Sequence, residues 1–260
     1  MARYKLILAY DGAQFHGSQR QSDEIRTVQG VFEDALREIG WDQPSSIWAG
    51  RTDTGVHALG QVVAFDLDWA HATEDLRNAL NALLPQDVAV RHVAVAAVDF
   101  HPRYDAADRT YRYRIFFDPV RHPLKERYGW RIWPSIEMDR LQACADLFVG
   151  IHDFDAFGRP MKPGGATFRH VTAADWLRNG DDLIFEITGN AFLYHMVRRL
   201  VYAQVAAGQG KVPINGISLR LKSPETPPIQ GLAPPHGLTL WKVRYQKDGE
   251  NSGSFNSIDR

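Results

Sequence analysis

Ala49-Gly50-Arg51-Thr52-Asp53-Thr54-Gly55-Val56-His57-Ala58-Leu59-Gly60-Gln61-Val62-Val63-Ala64-Phe65 is the stretch from which the rest of this 260-residue chain is read. A short run at 46–49 enters it and an alternating run at 61–67 leaves it, which makes it a loop between two strands. Gly50, Gly55 and Gly60 punctuate it, with Arg51, Asp53 and His57 among them. Glycine adopts backbone conformations closed to other residues and lets the chain approach a ligand closely. Charged residues held between glycines in such a loop point to a site. On spacing alone a tight hairpin loop reads the same way, with Asp53 accepting backbone N–H bonds and Arg51 solvated.

Upstream, residues 4–10 form a strand candidate ending at the turn signal Asp11-Gly12. The polar stretch that follows holds Gln14, His16, Ser18, Gln19, Arg20 and Gln21 and reads as a loop able to touch a ligand. Thr27 caps a predicted helix with apolar positions Val28, Phe32, Ala35, Leu36 and Ile39, stopped by Gly40. Thr73 caps a second, carrying Leu76, Ala79, Leu80 and Leu83 ahead of Pro85, and 88–98 follows as a strand. The order is β-α-β-β-α-β, the ferredoxin-like arrangement.

The same order returns downstream of a connector at 100–108. Residues 109–117 are a strand, and 139–149 a helix with Leu141, Cys144, Ala145, Phe148 and Val149 on one face. Residues 172–178 and 183–189 form a hairpin across Asn179-Gly180. A helix at 193–207 stops at Gly208, and 238–245 closes the set. Insertions at 118–138 and 151–171 interrupt this half, and a proline-rich segment at 222–235 reads as a crossing loop. The expected domains are 1–105 and 106–245, followed by a disordered tail at 246–260.

Hydrophobic content of 44% and charged content of 23% are ordinary for a soluble globular protein. The one cysteine, Cys144, excludes an internal disulfide framework and a four-cysteine zinc site, and it reads as a small buried hydrophobe. The N-terminal apolar run is too short for a signal peptide and no run reaches membrane-spanning length, so the expectation is a cytoplasmic protein with no membrane partner. The net charge of −1 hides an asymmetry. Residues 1–105 carry nine Lys/Arg against fifteen Asp/Glu, whereas 106–245 carry nineteen against thirteen. Such segregation suits a polyanion-facing surface, and solvated faces segregated by chance would look alike.

The string Gly50-Arg51-Thr52-Asp53-Thr54-Gly55-Val56-His57-Ala58 resembles the signature of the TruA family of tRNA pseudouridine synthases. Further resemblances are Tyr10-Asp11-Gly12 with Phe15, Gly17 and Gln19; Ala79-Leu80-Asn81-Ala82-Leu83-Leu84-Pro85; Arg109-Thr110-Tyr111-Arg112-Tyr113; Phe192-Leu193-Tyr194-His195-Met196-Val197-Arg198; and Gly237-Leu238. Together they run from residue 3 to residue 245. The resemblance implies an α+β fold: two ferredoxin-like, RRM-like domains forming one extended, mostly antiparallel sheet, helices on one face, and an active cleft between them. It also implies a homodimer acting on tRNA, at uridines 38, 39 and 40 of the anticodon stem-loop.

Pseudouridine formation breaks the N-glycosidic bond of uridine, turns the base and joins its C5 to the ribose. Nothing is oxidised, so no redox cofactor is needed. A carboxylate can attack the sugar or stabilise it, and Asp53, flanked by glycines, falls at the family's catalytic aspartate. By resemblance Arg198 is its ion-pair partner, Arg51 helps extrude the base, and Tyr111 stacks on the base with a hydroxyl able to handle the C5 proton. By the same resemblance Leu238 lines the base pocket. Each has a structural alternative: a helix-surface ion pair for Arg198, a core tyrosine for Tyr111, a strand core residue for Leu238. Gln19 counts as substrate-binding, and His57 as structural or RNA-touching. Seven Lys/Arg against two acids at 109–131, interleaved with aromatics, suit phosphates and splayed bases.

No histidine pair stands at metal-ligand spacing on a helix, and neither a metal nor a cofactor is expected. Two positions depart from the family pattern: Pro102 stands where alanine is more frequent, and Tyr202 where glycine is usual. A catalytically silent RNA-binding protein built on paired RRM-like units is one rival reading. It leaves unexplained a lone acid in a basic cleft. A phosphotransferase or phosphatase using Asp53-Thr54-Gly55 is another, and it lacks a second aspartate beside Asp53.

Overall fold

Alternation makes the sheet. Along residues 2–10 the side chains of Tyr4, Leu6, Leu8 and Tyr10 are buried, while Arg3, Lys5 and Ile7 between them stay partly exposed. That period of two puts one face on a core and leaves the other half open. The computed structural model describes residues 1–22, 24–223 and 226–246. The expected tail, apart from Gln246, lies outside them, as do two residues of the proline-rich crossing segment.

The strands are β1 (Ala2–Tyr10), β2 (Ile47–Trp48), β3 (His57–Leu67), β4 (Val88–Val95), β5 (Ala106–Phe117), β6 (Trp130–Ile132), β7 (Gly150–Asp153), β8 (Phe168–Asn179), β9 (Asp182–Gly189) and β10 (Leu238–Tyr245). The helices are α1 (Val28–Glu38), α2 (Thr73–Leu83), α3 (Met138–Ala145), α4 (Met196–Gly208) and α5 (Asn215–Lys222). Among the described residues the strands form one sheet in the order β4-β1-β3-β10-β5-β9-β8-β7, with β2 against β3 and β6 against β5. The chain thus has the mixed α+β fold expected, built on a large, mostly antiparallel sheet.

Each half repeats one strand order. The first, fourth, third and second strands of the upstream half are β1, β4, β3 and β2, running β4-β1-β3-β2. The downstream half runs β10-β5-β9-β8. The halves meet because β2 is only two residues long and covers β3 at Val63 and Ala64. The rest of that edge is free for β10, which lies parallel to β3 at His57 and Ala58. Close approach needs Gly60, where a Cβ would stand 2.3 Å from the Trp241 carbonyl oxygen. β10 is otherwise held antiparallel along β5.

Two apolar cores lie under this sheet. One gathers Leu6, Leu8, Phe32, Leu36, Leu76 and Leu80; the other gathers Phe148, Phe185, Ile187, Leu200 and Val201. Tyr111 packs against both. Thr27 caps α1 as read, accepting from the Gly30 N–H. Several bounds differ from the sequence reading. α2 has Ala72 rather than Thr73 as its N-cap, with the Ala72 N–H bonded to Asp75. β4 ends at Val95, and β8 begins at Phe168, inside the expected insertion. The β8–β9 turn sits one residue later than expected, because Asn179 still pairs with Asp182. α4 begins at Met196, since residues 193–195 are spent on a turn with His195 at φ 64°. β6, β7 and α5 were not foreseen; they are too short or too weakly patterned to stand out.

Tyr202 is accommodated. Its ring lies 6.3 Å from that of Trp130, nearly parallel, over Gly231, where a Cβ would be 2.0 Å from the ring. A second glycine thus makes room for the missing one. Cys144 is fully buried, and burial pushes its thiol up to about 11, so it stays protonated.

Candidate active site

The loop between β2 and β3 is tied down at nearly every peptide. The Ala49 N–H bonds the Val62 carbonyl, and the Gln61 amide donates to the Gly50 carbonyl at 2.9 Å. Thr52 is held on three sides. Its N–H donates to Ser18 Oγ at 2.8 Å, its carbonyl accepts from the Ser18 N–H at 3.0 Å, and its hydroxyl lies 2.8 Å from that of Tyr10. Burial pushes the Tyr10 phenol up to about 12, so it remains a neutral partner. The Val56 N–H turns back to the Asp53 carbonyl. Gly12 lets the preceding turn press on this loop, for a Cβ there would stand 2.0 Å from the Val56 carbonyl oxygen. Asp53 therefore projects from a fixed support.

The second half brings its partners. Arg198, in the first turn of α4, places Nη1 2.9 Å from Asp53 Oδ2, across 145 positions of sequence. Its Nε donates to the Ala233 carbonyl at 2.8 Å, which fixes the guanidinium. His195 Nε2 lies 3.3 Å from the same Oδ2. Burial holds the His195 ring below the usual imidazole range, with Arg198, Arg199 and Arg159 adding to this against the opposing pull of Asp53.

Around Asp53 opens a cleft of about 790 Å³ at the seam between the halves. Of the residues expected at the site, Arg51, Asp53, Tyr111, Arg198, Leu238 and Gln19 all line it. Arg51 and Gln19 are exposed at its rim, and Leu238 is buried in its wall. The Tyr111 ring meets Phe192 edge-on at 5.1 Å, and its hydroxyl makes no hydrogen bond among the described residues. Tyr113, read as a core residue, is fully buried and donates its hydroxyl to the Pro234 carbonyl.

His57 is not among the lining residues. It is buried under the loop, where Nδ1 accepts from the Gly12 N–H at 3.1 Å and Nε2 faces the His236 carbonyl at 3.2 Å. Burial lowers its pKa despite the nearby Asp11, in keeping with a neutral ring that accepts at Nδ1 and donates at Nε2. The place is structural, one of the two roles read for His57 from the sequence.

The basic run at 109–131 is corrected. Arg112 pairs with Glu186 at 2.5 Å, Arg114 with Asp182, Lys125 with Asp182 at 3.5 Å, and Arg121 and Arg131 with Glu126. Arg109 donates to the carbonyls of Ala49, Arg103, Ala106 and Asn190. Most of these charges knit the protein together instead of facing a phosphate. Of the arginines lining the cleft, Arg51, Arg103 and Arg109 form no ion pair among the described residues, and Arg109 is spent on backbone carbonyls. His195, Tyr10, Ser18 and Gln61 were given no individual role from sequence, although His195 and Tyr10 fall inside the stretches that carry the resemblance.

An acid paired with an arginine, beside a histidine, a half-buried tyrosine and an apolar wall, thus lies in one cleft between two ferredoxin-like halves. Residues 6–105 and 144–246 match the family of tRNA pseudouridine synthases. The chain belongs to that family and is an isomerase that converts uridine to pseudouridine in tRNA. It is 38% identical over 250 residues to tRNA pseudouridine synthase A of Limosilactobacillus fermentum, covering 94% of this chain and 96% of that one. The protein of the same name from Citrifermentans bemidjiense is 36% identical over 248 residues, covering 95% and 99%. That of Neisseria meningitidis serogroup B is 38% identical over 250 residues, covering 94% and 92%. The family match leaves out 106–143, and with it Tyr111.

Proposed function

We propose that the enzyme isomerises uridines 38, 39 and 40 in the anticodon stem-loop of tRNA, with Asp53 as the group that attacks the sugar. The observation that carries this reading is the Asp53–Arg198 pair at 2.9 Å, one partner from each half, in the cleft. A carboxylate serves as nucleophile or ion-pair partner in glycosyl chemistry, and Arg198 supplies its counter-charge. Asp53 bonds to C1′ as the C–N bond breaks, the base turns, C5 bonds to C1′ as the Asp53–C1′ bond breaks, and the C5 proton leaves while N1 gains one. Tyr111 stacks on the extruded base and Leu238 walls its pocket. Arg51, exposed and unpaired at the rim, takes the place the base leaves in the stack, where extrusion costs roughly a few kcal/mol. We further place the enzyme in the cytoplasm with its tRNA, as a homodimer whose subunits share one tRNA. The loop motif that resembles the family supports the stem-loop assignment.

Tritium release from C5-labelled uridine in tRNA, with chelator present, is the assay. Asp53→Asn keeps the shape but is neither an anion nor a nucleophile. Release should be abolished while tRNA affinity stays within a few-fold, because affinity comes largely from phosphate contacts. Substantial turnover in this variant would remove Asp53 as the catalytic group. Transcripts labelled only at position 38, 39 or 40 should each release tritium, and release from labels elsewhere would overturn the positional assignment.

A further inference from the structure

The connector between the halves carries an aromatic ring that no core claims. Tyr104 is 76% exposed and belongs to neither apolar cluster, yet it lines the cleft together with His101 and Arg103. A solitary exposed tyrosine is ordinary on a protein surface. This one is carried by a turn with little slack. His101 Nδ1 accepts from the N–H groups of Arg103 and Tyr104, at 3.2 and 3.3 Å. The Asp105 carboxylate is spent on the His101 N–H at 2.9 Å, and the Asp105 N–H closes on the His101 carbonyl. Pro102, one of the two departures from the family pattern, fixes its own φ, and its carbonyl accepts the Tyr245 hydroxyl at 2.8 Å.

The turn is also tied to the loop that bears Asp53. Arg109 Nη2 donates to the carbonyls of Arg103 and Ala49, at 2.5 and 3.4 Å, while its Nη1 reaches the carbonyl of Asn190 in the downstream half. One guanidinium thus sets the connector against both walls of the cleft. The Tyr104 ring packs on the His101 ring, centres 4.2 Å apart, and the rest of it is open. The Arg103 guanidinium lies 6.0 Å from the same ring and forms neither an ion pair nor a hydrogen bond among the described residues. A fixed flat ring beside an uncommitted cation suits a nucleotide, since the ring takes a base and the cation takes a phosphate.

We propose that Tyr104 is a stacking platform for an unpaired base next to the target uridine, with Arg103 on the phosphate beside that base. Tyr111, packed against both cores, is the ring assigned to the extruded uridine. Tyr104 stands outside both cores and meets a neighbour of that uridine. Every base has a π-face, so the platform adds affinity for unpaired RNA and little preference among bases. A base inside a stem is already stacked on both sides, and the platform therefore favours a target at the edge of a loop. This rests on the reading of the cleft as the place that receives the tRNA.

Dissociation constants for intact tRNA, measured across a range of salt, test the platform. Tyr104→Ala should weaken binding between about fivefold and about a hundredfold, the worth of one stacked base, while its thermal midpoint holds because the ring supports neither core. Tyr104→Trp keeps a flat ring and should bind within about twofold of wild type. Arg103→Gln should weaken binding and lower the salt dependence by about one phosphate contact. A decisive series uses tRNA with a single abasic nucleotide at each unpaired position around the uridine that releases tritium. At one position the missing base should cost the wild-type enzyme as much as Tyr104→Ala does, and the two losses should not add. Affinity within about twofold of wild type in Tyr104→Ala, no rescue in Tyr104→Trp, or an equal Tyr104→Ala penalty on every abasic tRNA would each overturn the platform. An unchanged salt dependence in Arg103→Gln would overturn the phosphate contact. Asp53→Asn run in parallel keeps the failures apart. If Asp53→Asn is inactive while Tyr104→Ala binds as wild type does, this inference falls and the cleft reading stands. If Asp53→Asn is active, the cleft reading falls and this inference goes with it.

Discussion

Tyr111 touches both cores, and its hydroxyl points into the cleft without a protein partner among the described residues. Burial raises its phenol far above the usual range, and Tyr10 and Asp53 add to this against Arg109. The hydroxyl is therefore protonated throughout the neutral range, and it handles a proton only by passing its own on. Tyr111→Phe keeps the stacking ring and removes that route. Binding of tRNA should stay within about twofold and turnover should fall at least about tenfold, as for general acid–base groups; wild-type turnover would leave the ring as the whole contribution. At this scale the loop motif made Asp53 and Arg51 legible, and the resemblance supplied Arg198, Tyr111 and Leu238. The turn that brings His195 beside Asp53 was not legible, since a positive φ leaves no mark in a string that contains histidine. The basic run misled for a definite reason. Arg112 faces Glu186 across the β5–β9 register, and Arg114 meets Asp182 on the same neighbouring strand, pairings that a count along one strand cannot register.

Among the elements, strands with strict alternation and helices with clear caps were legible, β1 and α1 above all. The parts that position the site were the hard ones. β2 pairs over two residues, and its brevity is what admits β10 to the edge of β3. Nothing in the residues at 46–49 announces so early a stop. The β3–β10 contact covers two residue pairs and depends on Gly60. In Gly60→Ala the new methyl would meet the backbone of Trp241 and Lys242, at 2.3 and 2.8 Å, and backbone cannot step aside as a side chain can. Overpacking of this kind costs about 1–3 kcal/mol. The variant should show a lower midpoint in thermal unfolding together with slower tritium release, because the seam carries the cleft. An unchanged midpoint and rate would show that the strands can separate there without harm to the site.

For the whole molecule, the acidic upstream half and the basic downstream half remain unequal after local pairing, with Arg51 and Arg103 at the cleft neither ion-paired nor tied to backbone carbonyls as Arg109 is, among the described residues. A single subunit offers a long RNA few such contacts, and a pair related by a twofold axis offers twice as many. Light scattering at assay concentration should give twice the chain's 29.4 kDa, whereas the mass of one chain would refute the homodimer. One feature of the sheet bears on how the activity arises during synthesis. Among the described residues nine strands precede β10, and the acid and its arginine are both in the polypeptide by residue 198. Until β10 is laid between β3 and β5, however, the upstream unit carries Asp53 on an uncovered edge and the downstream unit lacks its fourth strand. Segments fold in the order they emerge from the ribosome. A chain translated past residue 198 but short of residue 238 therefore holds both Asp53 and Arg198 yet no assembled cleft, and a message broken in that interval is expected to yield a polypeptide that leaves uridine untouched.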